Sequence, residues 1–257
     1  MIDVERLDHA YDGAATLRDV SFRLGAGEKA VLLGCNGCGK STLLKILAGL
    51  VHPLSGGYRY DGRTVDAASL RDASFRRRFR AEVGLLFQRS DAMLFNPTVR
   101  DEIAFGPRQH GLDDAEARVV RWATALGVAE LLDRAPWTLS AGQKQMVCLA
   151  SLLVLEPRLL LLDEPTAALD PRSTGWLVDF LQDLDQTLLV TTHNLSLAPE
   201  LGPRCLVLGE DHALLHDGGA DGLAGNLDLL RRANLVHGHR HRHGDREHRH
   251  DHTHDWD

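Results

Sequence analysis

The residues Gly34-Cys-Asn-Gly-Cys-Gly-Lys-Ser-Thr42 constrain this chain more than any other stretch. The short apolar run Lys29–Leu33 before them has the pattern of a buried strand. Lys40 to Ala48 after them reads as a helix. Strand, glycine-rich turn and helix in that order form a phosphate-binding loop. Gly34, Gly37 and Gly39 let the backbone turn its N–H groups toward phosphate oxygens, and the positive end of the helix adds to the attraction. Cys35, Asn36 and Cys38 occupy positions where such a loop binds through backbone rather than side chain. Lys40 is placed to reach the β- and γ-phosphates of a nucleotide, Ser41 to ligate Mg²⁺, and Thr42 to support the phosphates. Cys35 and Cys38 also spell C-x-x-C, but the sequence holds no second such pair to complete a zinc site. Small residues that fit the loop are therefore the expectation. A helix N-terminus can lower a thiol pKa, which keeps a redox switch as the lesser reading.

Other motifs decide how the loop is used. Arg158-Leu-Leu-Leu-Leu-Leu-Asp163-Glu164-Pro165 is an apolar strand ending in two carboxylates. Asp163 suits Mg²⁺, and Glu164 is placed to orient and deprotonate a water for in-line attack on a γ-phosphate. Leu139-Ser-Ala-Gly-Gln143 opens a helical pattern, Ala168-Leu-Asp170 follows the carboxylates, and Leu188-Leu-Val-Thr-Thr-His193 is a strand ending in histidine. Gln88 ends the strand Val83–Phe87. Each of these is weak alone; a histidine at a strand end is commonly a surface or capped residue. Their order along one chain is what carries weight.

Taken together, these motifs resemble those of ATP-binding-cassette (ABC) ATPases over about residues 1–230. GCNGCGKST is similar to the Walker A motif and LLLLDEP to Walker B. LSAGQ resembles the family signature, with Ala141 where glycine is usual. Gln88, Asp170 and His193 fall at the Q-loop, D-loop and switch-histidine positions, and Tyr11 matches the aromatic that stacks on adenine. The resemblance implies an α/β fold: an ABC-type P-loop ATPase with a mostly parallel core sheet, an N-terminal antiparallel β subdomain and a helical signature subdomain. The ATPase domain would span 1–235, its helical subdomain about 90–156. It also implies a homodimer that sandwiches ATP and Mg²⁺ head to tail. Ser140, Gly142 and Gln143 would then act on the partner's nucleotide. Glu164 would be the general base, His193 would contact the γ-phosphate, and Gln88 would link Mg²⁺ and water to a membrane partner. If the backbone needs positive φ at Ala141, its methyl group adds strain of roughly 1 kcal/mol.

Composition narrows the class. In 257 residues with a net charge of −7, no apolar run approaches a membrane span, and a globally basic nucleic-acid footprint is absent. No apolar leader core opens the chain, and four cysteines without framework spacing agree with a reducing compartment, so the cytosol is the default. Transport would need separate integral membrane subunits, with this chain on the cytoplasmic face. The segment Arg89 to Gly106, with the apolar cluster Met93-Leu94-Phe95, is either subdomain core or a docking patch. Its wording resembles the energy-coupling-factor branch, whose ATPases serve cobalt, nickel and vitamin importers.

Residues 236–257 form a histidine-rich tail without the apolar content to fold. His237, His239, His241 and His243 alternate with other residues, as do His248, His250, His252 and His254. Imidazoles spaced this way suit Ni²⁺, Cu²⁺, Zn²⁺ or Co²⁺. Arg240, Arg242, Arg246 and Arg249 oppose cation binding; Asp245, Glu247, Asp251 and Asp255 partly offset them. A merely solubilising tail would share this composition. The expectation is the ATPase of a nickel or cobalt importer. The alternatives are a vitamin importer, a soluble non-transport ATPase, and metal storage or sensing by the tail.

Overall fold

The computed structural model describes residues 1–243 and 246–253, with side chains described as far as Val236. Two sheets and a helical layer organise the chain. The first sheet begins with β1 (Ile2–Tyr11) and β2 (Ala14–Leu24), joined at Asp12-Gly13. Both turn residues have positive φ, 48° and 84°, the geometry whose twist matches a two-residue hairpin. β4 (Ser55–Tyr60) and β5 (Arg63–Thr64) complete an antiparallel sheet in the order β2-β1-β4-β5.

The second sheet holds β3 (Lys29–Leu33), β6 (Val83–Leu86), β7 (Leu159–Asp163), β8 (Thr187–Thr192), β9 (Arg204–Leu208) and β10 (Leu214–Gly219). Its order is β10-β9-β3-β8-β7-β6, with only β10 antiparallel. A sheet covered on both faces favours continuous apolar strands, which is how Lys29–Leu33 and Leu159–Leu162 read. Side chains alternate between faces. Val31, Leu33, Leu160, Leu162, Leu188 and Val190 join one core; Ala30, Leu32, Leu159, Leu161 and Leu189 join the other.

The helices are α1 (Lys40–Leu47), α2 (Ala73–Glu82), α3 (Val99–His110), α4 (Ala115–Ala125), α5 (Ala141–Leu153), α6 (Pro171–Asp183), α7 (Ala198–Leu201) and α8 (Leu227–Arg232). α1 lies on the face of the sheet that also carries the antiparallel layer, and Leu43, Leu44 and Leu47 are wholly buried there. α3, α4 and α5 pack on one another around Ile103, Trp122 and Val147. They form a helical layer of their own beside the sheet. The basic run from Arg71 is α2, whose Asp72 cap accepts from the N–H groups of Ser74 and Phe75 while Phe75 and Phe79 face inward.

One helix is shorter than its apolar spacing suggests. A helix from Leu195 to Leu201 is expected, but Asn194 Oδ1 accepts from the N–H groups of Ser196 and Leu197, and the turn delays α7 to Ala198. Among the described residues no helix is long and apolar enough to cross a membrane. After α8 the backbone runs as two paired strands, β11 (Val236–His243) and β12 (Arg246–Thr253). Val236, the first residue of β11, is buried in the core.

Leu161 is fully buried on β7, the strand that carries the carboxylates. Leu161→Ala should lower unfolding free energy by about 2–5 kcal/mol, measured by denaturant titration.

Candidate nucleotide site

The parallel register brings the strand ends together. Leu33 pairs with Thr192, and Asp163 with Thr191, so β3, β7 and β8 finish side by side. Ligand crevices in such sheets lie beyond the carboxyl ends of the strands. Here a cavity of about 400 Å³ opens there, lined by Cys35, Asn36, Gly37, Gly39, Lys40, Ser41 and Thr42 from the loop and by Gln88, Asp163 and Glu164 from neighbouring strands. Thr16 of β2 completes the lining, a residue no sequence motif singled out.

The glycines are required by close approach. Gly39 caps α1 with φ 114°, and a Cβ there would lie 2.2 Å from the Thr16 carbonyl oxygen. A Cβ on Gly34 would meet Cys38 Sγ at 2.5 Å. Cys38 is buried in the core beneath the loop, whereas Cys35 is half-buried beside the cavity. Burial raises the Cys35 thiol pKa and pushes Cys38 up to about 11, against the lesser pull of the Lys40 ammonium. The shift runs opposite to the lowering that a helix N-terminus can give a thiol, and desolvation is its largest cause.

Lys40 and Glu164 form the electrostatic centre. Lys40 Nζ donates to the carbonyl oxygens of Gly34 at 2.6 Å and Cys35 at 3.1 Å, and lies 3.7 Å from Glu164 Oε1. Both side chains are buried, 7% and 5% exposed, so the pair is poorly screened. Glu164 Oε2 meets His193 Nδ1 at 3.0 Å, while Oε1 is buried without a hydrogen-bond partner. The Glu164 backbone has φ 50°, unusual for a glutamate. The oxygen donors of Ser41, Asp163 and Gln88 on one cavity wall suit a hard cation such as Mg²⁺, and the glycine cradle suits phosphate. The residues present thus fit Mg²⁺ and a nucleotide.

Other expected residues stand elsewhere. Tyr11 is exposed at the first hairpin, edge-on to His9 at 4.5 Å between ring centres, and does not line the cavity. Ser140, Gly142 and Gln143 lie at the start of α5, also off this cavity. Ser140 and Gln143 form a capping box: Gln143 N–H donates to Ser140 Oγ at 3.3 Å, and Ser140 N–H to Gln143 Oε1 at 3.0 Å. Asp170 caps α6; the Ser173 hydroxyl and the Ser173 and Arg172 N–H groups hold its carboxyl below the usual range. A buried relay was not legible from the motifs. Gln145 accepts from Ser90 Oγ and donates to the Pro165 carbonyl at 3.2 Å, so α5 touches both the loop after Gln88 and the turn after Glu164.

The family model described as ABC transporter matches residues 17–167. The chain belongs to the ABC transporter family. A relative from Methanosarcina acetivorans, provisionally named an ABC transporter ATP-binding protein, is 42% identical over 93% of this chain and 90% of its own length. Among solved structures, the CbiO1 protein of Clostridium perfringens, described as part of the ABC transporter complex CbiONQ, is 31% identical with a TM-score of 0.77. It covers 91% of this chain and 94% of that one. A dimeric ATP-binding cassette bound to ADP and Pi, 23% identical over 87% of this chain and all of that one, shares the fold with a TM-score of 0.78. The chain is accordingly the ATPase subunit of an ABC transporter, with the ABC ATPase fold.

ABC ATPases bind ATP, normally with Mg²⁺. Ala141, the departure in the signature, is the first helical residue of α5 and is not among the positive-φ positions, so its methyl group causes no backbone strain. The tight position is Gly142, where a Cβ would lie 3.2 Å from Leu169. Ala141→Gly should leave ATPase turnover within a few fold and cost up to about 1 kcal/mol of stability, checked by phosphate release and thermal melting. At pH 8, Cys38 should alkylate about a hundredfold more slowly than a free thiol, since its thiolate fraction is depleted to that extent. Peptide mass spectrometry after timed iodoacetamide exposure checks this.

Proposed function

We propose that this chain is the ATP-hydrolysing subunit of a nickel or cobalt importer of the energy-coupling type. It works as a head-to-tail homodimer on the cytoplasmic face, bound to integral membrane subunits. The observation that carries the proposal is the likeness to CbiO1 across nearly the whole chain, joined to the wording of the segment after Gln88. The eight alternating histidines of the tail agree with a transition-metal cargo; their side chains lie outside the described residues.

The chemistry follows from the site. The loop N–H groups and Lys40 hold the β- and γ-phosphates, and Ser41, Asp163 and Gln88 hold Mg²⁺. Bound Mg²⁺ supplies charge neutralisation between the β- and γ-phosphates. A water attacks the γ-phosphorus in line while its bond to the ADP oxygen breaks. The Glu164 carboxylate, anchored on one oxygen by His193 and with the other near Lys40 but without a hydrogen bond, takes the water's proton. His193 contacts the γ-phosphate. Tyr11 stacks on adenine, and Ser140, Gly142, Gln143 and Asp170 complete the partner's site.

A groove of about 760 Å³ lies between α2 and the helical subdomain, with Met93, Phe105, Leu152 and Leu155 in its lining beside Arg77 and Arg80. Met93 and Leu94 pack into the subdomain core, whereas Phe95 is 67% exposed at the rim. This is the face that would receive the membrane partner, next to the loop that follows Gln88. The buried contacts Ser90–Gln145–Pro165 give docking a solid route to the carboxylate turn.

The test is accumulation of Ni²⁺ and Co²⁺ in cells carrying the intact system, against the same cells with Glu164→Gln. Uptake of one ion should fall to background. If uptake of both ions is unchanged, metal import is wrong and a vitamin such as biotin becomes the leading cargo.

A further inference from the structure

Thr191 is wholly buried in β8, two residues before His193. Its single hydroxyl makes two bonds. It accepts from the Glu164 backbone N–H at 2.9 Å and donates to Asp163 Oδ1 at 2.8 Å. The directions are forced, because an N–H can only donate and an ionised carboxylate can only accept. Strand register explains why the hydroxyl is in reach: Thr191 and Asp163 are direct partners across the parallel pair. The next residue, Glu164, then turns into left-handed backbone at φ 50°. A glutamate does not favour that conformation, and the bond from its N–H to Thr191 is what meets it there. β8 thus grips Glu164 twice, at the backbone through Thr191 and at the carboxylate through His193.

Packing alone does not call for a hydroxyl at this position. The neighbouring Val190 is equally buried in the same strand, and valine matches threonine in shape and strand preference. What only threonine or serine supplies is the simultaneous acceptor and donor.

We infer that Thr191 is a positioning residue of the hydrolytic site, its one hydroxyl setting both the Asp163 carboxylate and the Glu164 backbone. The inference rests on the reading above that Asp163 holds Mg²⁺ and Glu164 takes the proton. Thr191 is not among the residues that line the cavity. It couples the two carboxylates so that the cation-holding group and the base keep one mutual orientation. Partners of this kind behind a metal ligand alter metal affinity as well as rate.

The experiment reads both. Mn²⁺ affinity is titrated by electron paramagnetic resonance on the full chain saturated with a non-hydrolysable ATP analogue, and kcat is measured separately with MgATP. Thr191→Val should weaken Mn²⁺ binding by about 10-fold and lower kcat by about 10- to 100-fold, in the range seen for groups behind a metal ligand. Thr191→Ser should restore both. Binding of the analogue without metal should not change in either variant, since Thr191 does not line the cavity. A folded Thr191→Val with the parent's Mn²⁺ affinity and kcat overturns the inference, as does a Thr191→Ser that fails like valine. If Thr191→Val does not fold, Thr191→Cys, close in size but a weak hydrogen-bonding group, is held to the same outcomes. Asp163→Asn separates the two levels. If it leaves Mn²⁺ affinity unchanged, the underlying site reading is wrong; if it weakens Mn²⁺ and Thr191→Val does not, only the role of Thr191 is.

Discussion

Two carboxylates at the end of a leucine strand, both only 5% exposed, are the constraint around which this protein is built. Charges buried to that degree are costly unless they are paired and hydrogen-bonded. Each structural layer supplies part of the hold. α1 brings the Lys40 ammonium to within 3.7 Å of Glu164. β8 places the Thr191 hydroxyl between the Asp163 carboxylate and the Glu164 backbone N–H, and His193, just past its end, meets the Glu164 carboxylate. α5 reaches the next residue, Pro165, through Gln145. The fold therefore holds both carboxylates in place beside the glycine-rich loop, on the same cavity.

The same arrangement connects the chemistry to the surface. Gln145 is 2% exposed and bridges two loops, one following Gln88 and the other following Glu164. Lys144 adds an exposed tie to Asp91 at 2.6 Å. Both come from the first turns of α5, whose N-terminus is the signature. These contacts tie the start of α5 both to the loop after Gln88 and to the turn after Glu164.

The thiols show how context reverses a motif. Cys35 and Cys38 have redox spacing and sit at a helix start, yet their pKa values move upward. Desolvation is the largest cause and exceeds the attraction of Lys40. Cys38 fills the space that Gly34 leaves by lacking a side chain, so the pair serves the loop's shape.

Sequence by itself determined the phosphate loop, the carboxylate strand, the covered parallel sheet and the helical subdomain. These features depend on local rules: glycine where backbone must approach backbone, continuous apolar runs where a strand is covered twice, and polar caps where helices begin. It also determined the family, because the motifs follow one another along the chain. Tertiary structure alone decided which groups meet. Thr16 touches the cradle, Thr191 grips Asp163 and Glu164, and Gln145 joins two loops, and none of these lies near its partner in sequence. It decided too that Ala141 is unstrained, and that Tyr11 and the signature stand off the cavity of a single chain. Strand register and helix packing set such contacts, and both are properties of the assembled sheet rather than of any one segment.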